Sequence, residues 1–327
     1  MLKLLLLVFT MFIGLTAKAE ESYHSPSLNR LLFASCNKHM KDQPLWKLLS
    51  REQGDLFIWG GDNVYADGKG IGEVQRAYQH QNQVADYVAF KSEIPILGIW
   101  DDHDYGKNNG GHEFTHKRLS QQFALDFFGV PTSSPKRKQE GLYSSHTFGA
   151  GPEQIKIILL DSRYFKDITP GSLLGEVQWS WLEEELLNSK ASLHLIVSSI
   201  SVLTPKTIHT EEWADYSAEK ARLKNLLKKS GRPYLYLTGD RHFSDIFTND
   251  DELEFLSSGM THNAEGIVRP LIRAQYPHPV FVRNYGVVDI KWREGTPELE
   301  MFIGTDKGER LNFTQVRWNG ARWILNN

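Results

Sequence analysis

Five apolar runs in this sequence end in residues that bind cations or move protons. Cys36 follows Arg30 to Ala34. Asp62 follows Asp55 to Trp59, Asp102 and His103 follow Ile94 to Trp100, Asp161 follows Ile155 to Leu160, and Asp240 and His242 follow Tyr234 to Leu237. A thiol, carboxylates and imidazoles gathered at one rim make a donor set for metals: thiolate suits a transition metal, whereas carboxylate and amide oxygens suit calcium. A single strand-end Asp is as ordinary as a turn former or helix N-cap. Recurrence at five ends favours a site, because ligands of open α/β sheets bind beyond the carboxyl ends of the strands. Asp62 stands in Gly60-Gly61-Asp62-Asn63-Val64-Tyr65-Ala66-Asp67-Gly68, where glycine permits a tight turn and a two-oxygen carboxylate could bridge two cations. In Asp240-Arg241-His242 two ligand types lie two residues apart. Extended backbone would aim both at one metal. Trp100 to Asn109 is dense in polar ligands. Cys36 as a covalent nucleophile is the rival reading, but it needs an activating base that the sequence does not identify.

These residues need elements to hold them. The apolar runs at 30–34, 55–59, 94–100, 155–160, 193–197 and 234–237 predict strands, with further strand-like segments near 253–257, 285–292, 298–303 and 312–317. Helical spacing covers 44–53, 72–90, 175–187 and 217–229; Val177, Trp181, Leu182 and Leu186 set a packing face, and Trp179 and Trp181 read as core. Strand and helix alternating implies an α/β layered domain with a largely parallel central sheet and a more antiparallel tail. The stretches 104–118 and 262–280 are long enough to shape a pocket, 132–139 reads as a surface loop, and His209, His262 and His278 could line a mouth or lie plainly on the surface. There is no repeat and no Pro/Gly/Ser linker, so 20–327 reads as a single domain.

The chain has 327 residues, 40% of them hydrophobic, with a formal net charge of -3. That balance argues against nucleic-acid binding by bulk charge. Lys3, the apolar run Leu4 to Leu15 and Ala17-Lys18-Ala19 form the pattern of a cleaved signal peptide over 1–19. The run is too short to span a bilayer comfortably, since that takes about 20 apolar residues. The expectation is therefore a periplasmic or secreted monomer with no membrane span after cleavage. Its one cysteine, Cys36, forms no internal disulfide.

The residues together resemble the PhoD-like alkaline phosphatases, a branch of the calcineurin-like metallophosphoesterases. The matching pieces are Ala34-Ser35-Cys36, Gly61-Asp62-Asn63-Val64-Tyr65-Ala66-Asp67, and Trp100-Asp101-Asp102-His103-Asp104 with Asn108-Asn109. They continue through Leu160-Asp161-Ser162-Arg163-Tyr164, Leu174 to Leu182, Gly239-Asp240-Arg241-His242 and Ser257-Ser258-Gly259. The resemblance implies a four-layer α/β/β/α sandwich with two metals at the sheet edge. It carries the family's ligands onto Cys36, Asp62, Tyr65, Asn108, Asp240 and His242, with Asn109 as the alternative to Asn108. It implies ferric iron, suited by Tyr65 and Cys36, and calcium, suited by Asn108, with Asp62 bridging and other divalent metals as alternatives. The chain departs from longer members in lacking room for an extra N-terminal β domain, and in carrying Arg241 where a small or aliphatic residue is common.

Hydrolysis of phosphate mono- or diesters through a metal-bridged hydroxide is the expected activity, of alkaline phosphatase D or phosphodiesterase type, on a small phosphoester substrate. Two metals roughly 3.5–4 Å apart clamp the attacking and leaving oxygens of such a displacement. His103 is then a candidate proton donor or orienting residue. Arg163 could hold a phosphoryl oxygen through its planar fork or pair with Asp161 or Asp102, and Asp102 could act by orienting a ligand. The alternatives are a catalytically silent metal-binding protein, or an esterase of non-phosphate substrates built on the same cluster.

Overall fold

Parallel strands covered on both faces read as unbroken apolar runs, and the strands that carry the candidate residues are of this kind. The computed structural model describes residues 27–167, 171–205, 210–249, 251–264 and 266–326. The leader expected over 1–19 and His209 lie outside them. The strands are β1 (Arg30–Ala34), β2 (Leu56–Gly60), β3 (Ile96–Ile99), β4 (Ser144–Phe148), β5 (Ile155–Leu160), β6 (Leu193–Ser198), β7 (Tyr234–Thr238), β8 (Ser244–Asn249), β9 (Glu252–Ser257), β10 (Asn284–Arg293), β11 (Thr296–Thr305), β12 (Arg310–Trp318) and β13 (Trp323–Leu325). The helices are α1 (Leu45–Arg51), α2 (Ile71–Gln81), α3 (Ala85–Glu93), α4 (Asp102–Tyr105), α5 (Lys117–Phe127), α6 (Gly175–Leu187), α7 (Ser217–Ser230) and α8 (Arg269–Arg273).

The strands form two sheets, not one central sheet. The first runs β13-β12-β11-β10-β1-β2-β3 and the second β4-β5-β6-β7-β9-β8. Within them β1-β2-β3 and β5-β6-β7-β9 are parallel, and every outer neighbour is antiparallel. Periodicity shows that a strand is covered on both faces but not which sheet it joins, which is why the residues alone suggested a single sheet. The two-sheet sandwich implied by the resemblance is the one observed.

Alternate side chains sort into two cores, as the pleat requires. Ile155, Ile157 and Leu159, Leu193, Leu195 and Val197, and Leu235 and Leu237 face the space between the sheets. Ile158 and Leu160, Ile196, and Tyr234 and Tyr236 face the layer of α6 and α7, meeting Trp179, Leu182, Leu186, Leu223 and Leu227. Phe33 of the first sheet meets Phe255 of the second edge to face at 4.8 Å. On the first sheet's outer face Trp46 of α1 packs on Phe57 and Trp59 at 5.5 and 5.3 Å. The layers thus run helix, sheet, sheet, helix.

Three local expectations change. The stretch 72–90 breaks at 82–84 into α2 and α3, and α5 opens at the end of the expected loop 104–118. In α6 Val177 is 58% exposed while Trp179 is fully buried; the face toward the second sheet is Gln178, Trp179, Leu182 and Leu186. Among the described residues no helix is long and apolar enough to cross a membrane.

Candidate metal centre

The carboxyl edges of the two parallel blocks meet, and the chain leaves β1, β2 and β7 through left-handed backbone. Cys36 (φ 63°), Asp62 (φ 53°), Asp240 (φ 70°) and His242 (φ 56°) adopt this conformation without being glycine. Each such residue costs on the order of 1–3 kcal/mol and persists only where its surroundings over-determine it. Cross-links between the exit loops supply that constraint: Cys36 N donates to Gly61 O (3.3 Å), Asn37 N to Asp62 O (2.8 Å) and Met260 N to Ser35 O (3.2 Å). The His242 N–H donates to Ser258 Oγ at 2.8 Å. Gly61, at φ +100°, is required here, because a Cβ would come within 2.8 Å of Ser199 Cβ and 2.9 Å of Asp101 Cβ.

Two main donor sets result, with Asp62 in both, and a third group, Asp62, Asp102 and His103, overlaps the second. Cys36, Asp62 and His242 bring a ligand atom each within 4.8 Å of one another, and so do Asp62, Asp101, Asp102 and Asp240. Tyr65 joins the first set: its hydroxyl donates to Asp62 Oδ2 at 2.8 Å and lies 3.2 Å from His242 Nε2. Cys36 Sγ lies 3.7 Å from the same Asp62 oxygen. Asp240 and His242 therefore fall in different sets. The extended backbone that would align them is absent, since both are left-handed. Asp101, which the motif does not single out, stands in the second set. Its only sequence signal was membership of the polar run after Trp100. Asn108 is exposed on the loop after α4. Its neighbour Asn109 donates its backbone N–H to Asp102 Oδ2 at 2.7 Å.

The charge pattern calls for cations. Burial, reinforced by neighbouring carboxylates, pushes Asp62 and Asp240 well above the ordinary carboxylate range. Burial and the Asp62 charge likewise raise the Cys36 thiol and the Tyr65 phenol. Burial lifts Asp101 to about 6 despite Arg163. Burial opposes ionisation of Asp102 too, yet Arg163 and His103 hold it below its usual value. His242 is pushed down to about 4 by burial and by Lys38. Asp101 Oδ2 and Asp102 Oδ1 are buried without a hydrogen-bond partner, an uncommon state for carboxylate oxygens. Those free oxygens, and the split into a sulfur–nitrogen–phenol set and an all-carboxylate set, fit two metal ions sharing Asp62: a softer ion on the first and a hard, oxygen-seeking ion on the second.

The surrounding residues take clear places. His103 Nδ1 lies 2.5 Å from Asp67 Oδ1, and its ring stacks on Tyr65 at 4.2 Å. Asp67 lies 36 residues from His103 in sequence, so the motif by itself does not signal the pair. Arg163 is fully buried. Its Nε donates to Asp101 Oδ1 at 2.6 Å and its Nη1 to Glu211. It therefore braces Asp101 instead of facing a phosphoryl group, and its ion-pair partners are neither Asp161 nor Asp102. Asp161 is outside both donor sets. It accepts from Trp100 Nε1 (2.8 Å) and from the N–H groups of Leu142 (2.7 Å) and Arg163 (2.9 Å), closing the turn after β5. Arg241 turns away to Glu212, 3.0 Å distant. His262 Nε2 comes 3.2 Å from His242 Nε2, whereas His278 lies exposed.

The model of the family described as PhoD-like phosphatase matches residues 31–268. No curated protein matches the chain. Among solved structures the chain is similar to GAP50, the anchor in the inner membrane complex of Plasmodium. The identity is 12%, over 92% of this chain and 90% of that one, with a TM-score of 0.60. It is also similar to a dimetal phosphatase from Danio rerio, at 11% identity over 84% of this chain and 95% of that one, with a TM-score of 0.50. At such identities the likeness is one of fold.

Proposed function

The chain belongs to the PhoD-like phosphatase family and is a phosphoesterase; from that premise we propose that it hydrolyses small phosphate mono- or diesters at the centre shared by Asp62. The observation that carries this reading is the pair of donor sets meeting at one carboxylate, with orphaned oxygens on Asp101 and Asp102.

In this reading Cys36, Asp62, Tyr65 and His242 would hold ferric iron. Asp62, Asp102 and Asp240 would hold calcium, with Asp101 beside them and Asn108 a further candidate through the loop that Asn109 ties to Asp102. When bound, the two cations neutralise phosphoryl oxygens and acidify a water. The protein's own groups do the rest. Asp67 fixes His103 through Nδ1, which leaves Nε2 to carry the proton for the leaving alcohol. Arg163 keeps Asp101 oriented and partly neutralised. Cys36 is fully buried, with Sγ 3.7 Å from Asp62 Oδ2 inside the first donor set, which favours a ligand over a covalent nucleophile. The signal-peptide pattern over 1–19 supports export, so the reaction is proposed for the periplasm or the exterior.

The test is turnover by the purified chain of nitrophenyl phosphate mono- and diesters, with chelation and metal replacement. The reading requires release of nitrophenol that chelation abolishes. Failure on every phosphoester with metals present favours a silent metal-binding protein, and turnover of carboxylic esters alone favours a non-phosphate esterase. A phenolate on ferric iron also absorbs visible light. Native protein should be coloured and Tyr65→Phe should lose the phenolate band, leaving at most the absorption of the Cys36 thiolate on iron; a colourless native protein containing no iron overturns the iron assignment.

A further inference from the structure

Lys38 lies two residues beyond Cys36, on a loop pinned to the opposite rim: its N–H donates to Thr261 Oγ1 at 2.7 Å, and Thr261 N donates to Cys36 O at 3.4 Å. Its ammonium sits 5.2 Å from the centroid of the Tyr65 ring, the ring whose hydroxyl reaches Asp62 and His242. The buried cations nearby are engaged, Arg163 by Asp101 and Glu211 and Arg241 by Glu212. Lys38 makes no ion pair among the described residues, and it is partly exposed. It thus offers an ammonium, three donors on a flexible stem, over the ring whose hydroxyl joins the first donor set.

We propose that Lys38 is a substrate-positioning residue: its ammonium takes a peripheral oxygen of the phosphoryl group and so favours the dianionic group of a monoester over the monoanionic group of a diester. The inference rests on the phosphoesterase reading and narrows its substrate class. A point charge attracts a dianion more strongly than a monoanion at the same distance, and a diester also replaces one peripheral oxygen by a bulky ester arm. Lys38 touches no donor atom of the centre, so its effect should appear in binding more than in chemistry.

The experiment compares the full chain with Lys38→Met, which keeps an apolar stem over Tyr65, Lys38→Arg, which keeps the charge, and Lys41→Met, which removes a cation from the same loop. Each is assayed on 4-nitrophenyl phosphate and bis(4-nitrophenyl) phosphate, and each is titrated calorimetrically with inorganic phosphate. For Lys38→Met the monoester KM and the phosphate Kd should rise about tenfold, with kcat changed under about threefold and the diester KM under about threefold. Lys38→Arg should recover most of the loss, and Lys41→Met should not reproduce it. Equal KM rises for both esters, an unmoved phosphate affinity, or the same loss from Lys41→Met would overturn the proposal. A wild-type chain that turns over neither ester defeats the phosphoesterase reading itself. Wild-type turnover with an unmoved phosphate affinity in Lys38→Met defeats only the role of Lys38.

Discussion

Asp62 is the residue on which both donor sets depend, and its charge makes it costly without metal. Burial and four neighbouring carboxylates raise its folded-state value above the ordinary 3.8. A carboxyl raised in this way binds its proton more tightly when folded. The stability it contributes is full below 3.8 and is lost as pH rises through the higher folded value. Metal-free Asp62→Asn should therefore melt above metal-free wild type at neutral pH, and the gap should close as the pH falls toward 4, about the unfolded carboxylate value. Thermal scans across pH read this directly; a variant that melts below wild type at neutral pH without metal contradicts it. Asp67→Asn acts differently. It should lower kcat about 100-fold, the lower range for a general acid, while elemental analysis finds the wild-type metal content. Wild-type kcat in that variant removes the His103–Asp67 pair from the reaction. At this scale Cys36, Asp62, Tyr65, Asp240 and His242 were legible as residue types at strand ends or in a matching motif. Asp101 was hidden by lying beside Asp102 in a run whose facing depends on the turn. For Arg163 the sequence leaves open a phosphoryl contact or an ion pair with Asp161 or Asp102; its pairing with Asp101 and Glu211 depends on tertiary packing that no local pattern records.

The elements bring these side chains together through short, strained exits. Gly61→Ala should destabilise the fold by at least about 1–3 kcal/mol through its positive φ alone, with steric conflict against Ser199 and Asp101 added. Denaturant unfolding checks this, and a loss under about 0.5 kcal/mol, the range of neutral surface changes, would contradict the described turn. In α6 the buried Trp179 and exposed Val177 set a second contrast. Trp179→Ala should cost about 3–5 kcal/mol and Val177→Ala under about 0.5 kcal/mol. Comparable losses would restore the packing face expected from spacing. The parallel strands were readable because covered strands are continuously apolar. β4 (Ser-Ser-His-Thr-Phe) and β8 (Ser-Asp-Ile-Phe-Thr-Asn) were not, since both are edge strands of the second sheet, and edges carry polar residues that disguise them.

At the scale of the molecule, two parallel blocks from different sheets present their carboxyl edges to one another. Cys36, Asp62, Asp101 and Asp102 come from the first sheet, and Asp240 and His242 from the second. Local pattern supplied the layers but not their division. The two-sheet arrangement came from the ordered family motifs, because nothing in a single strand records which neighbour it will pair with. Since the centre joins the two sheets, metal bound only to the folded chain adds stability by mass action. The most direct test of the account is an anomalous difference map from native crystals, supported by elemental analysis. The expected result is two ions flanking Asp62, one against Cys36, Tyr65 and His242 and the other against Asp102 and Asp240. A map with no ion at Asp62, or with a single ion held by Asp240 and His242 together, would contradict it.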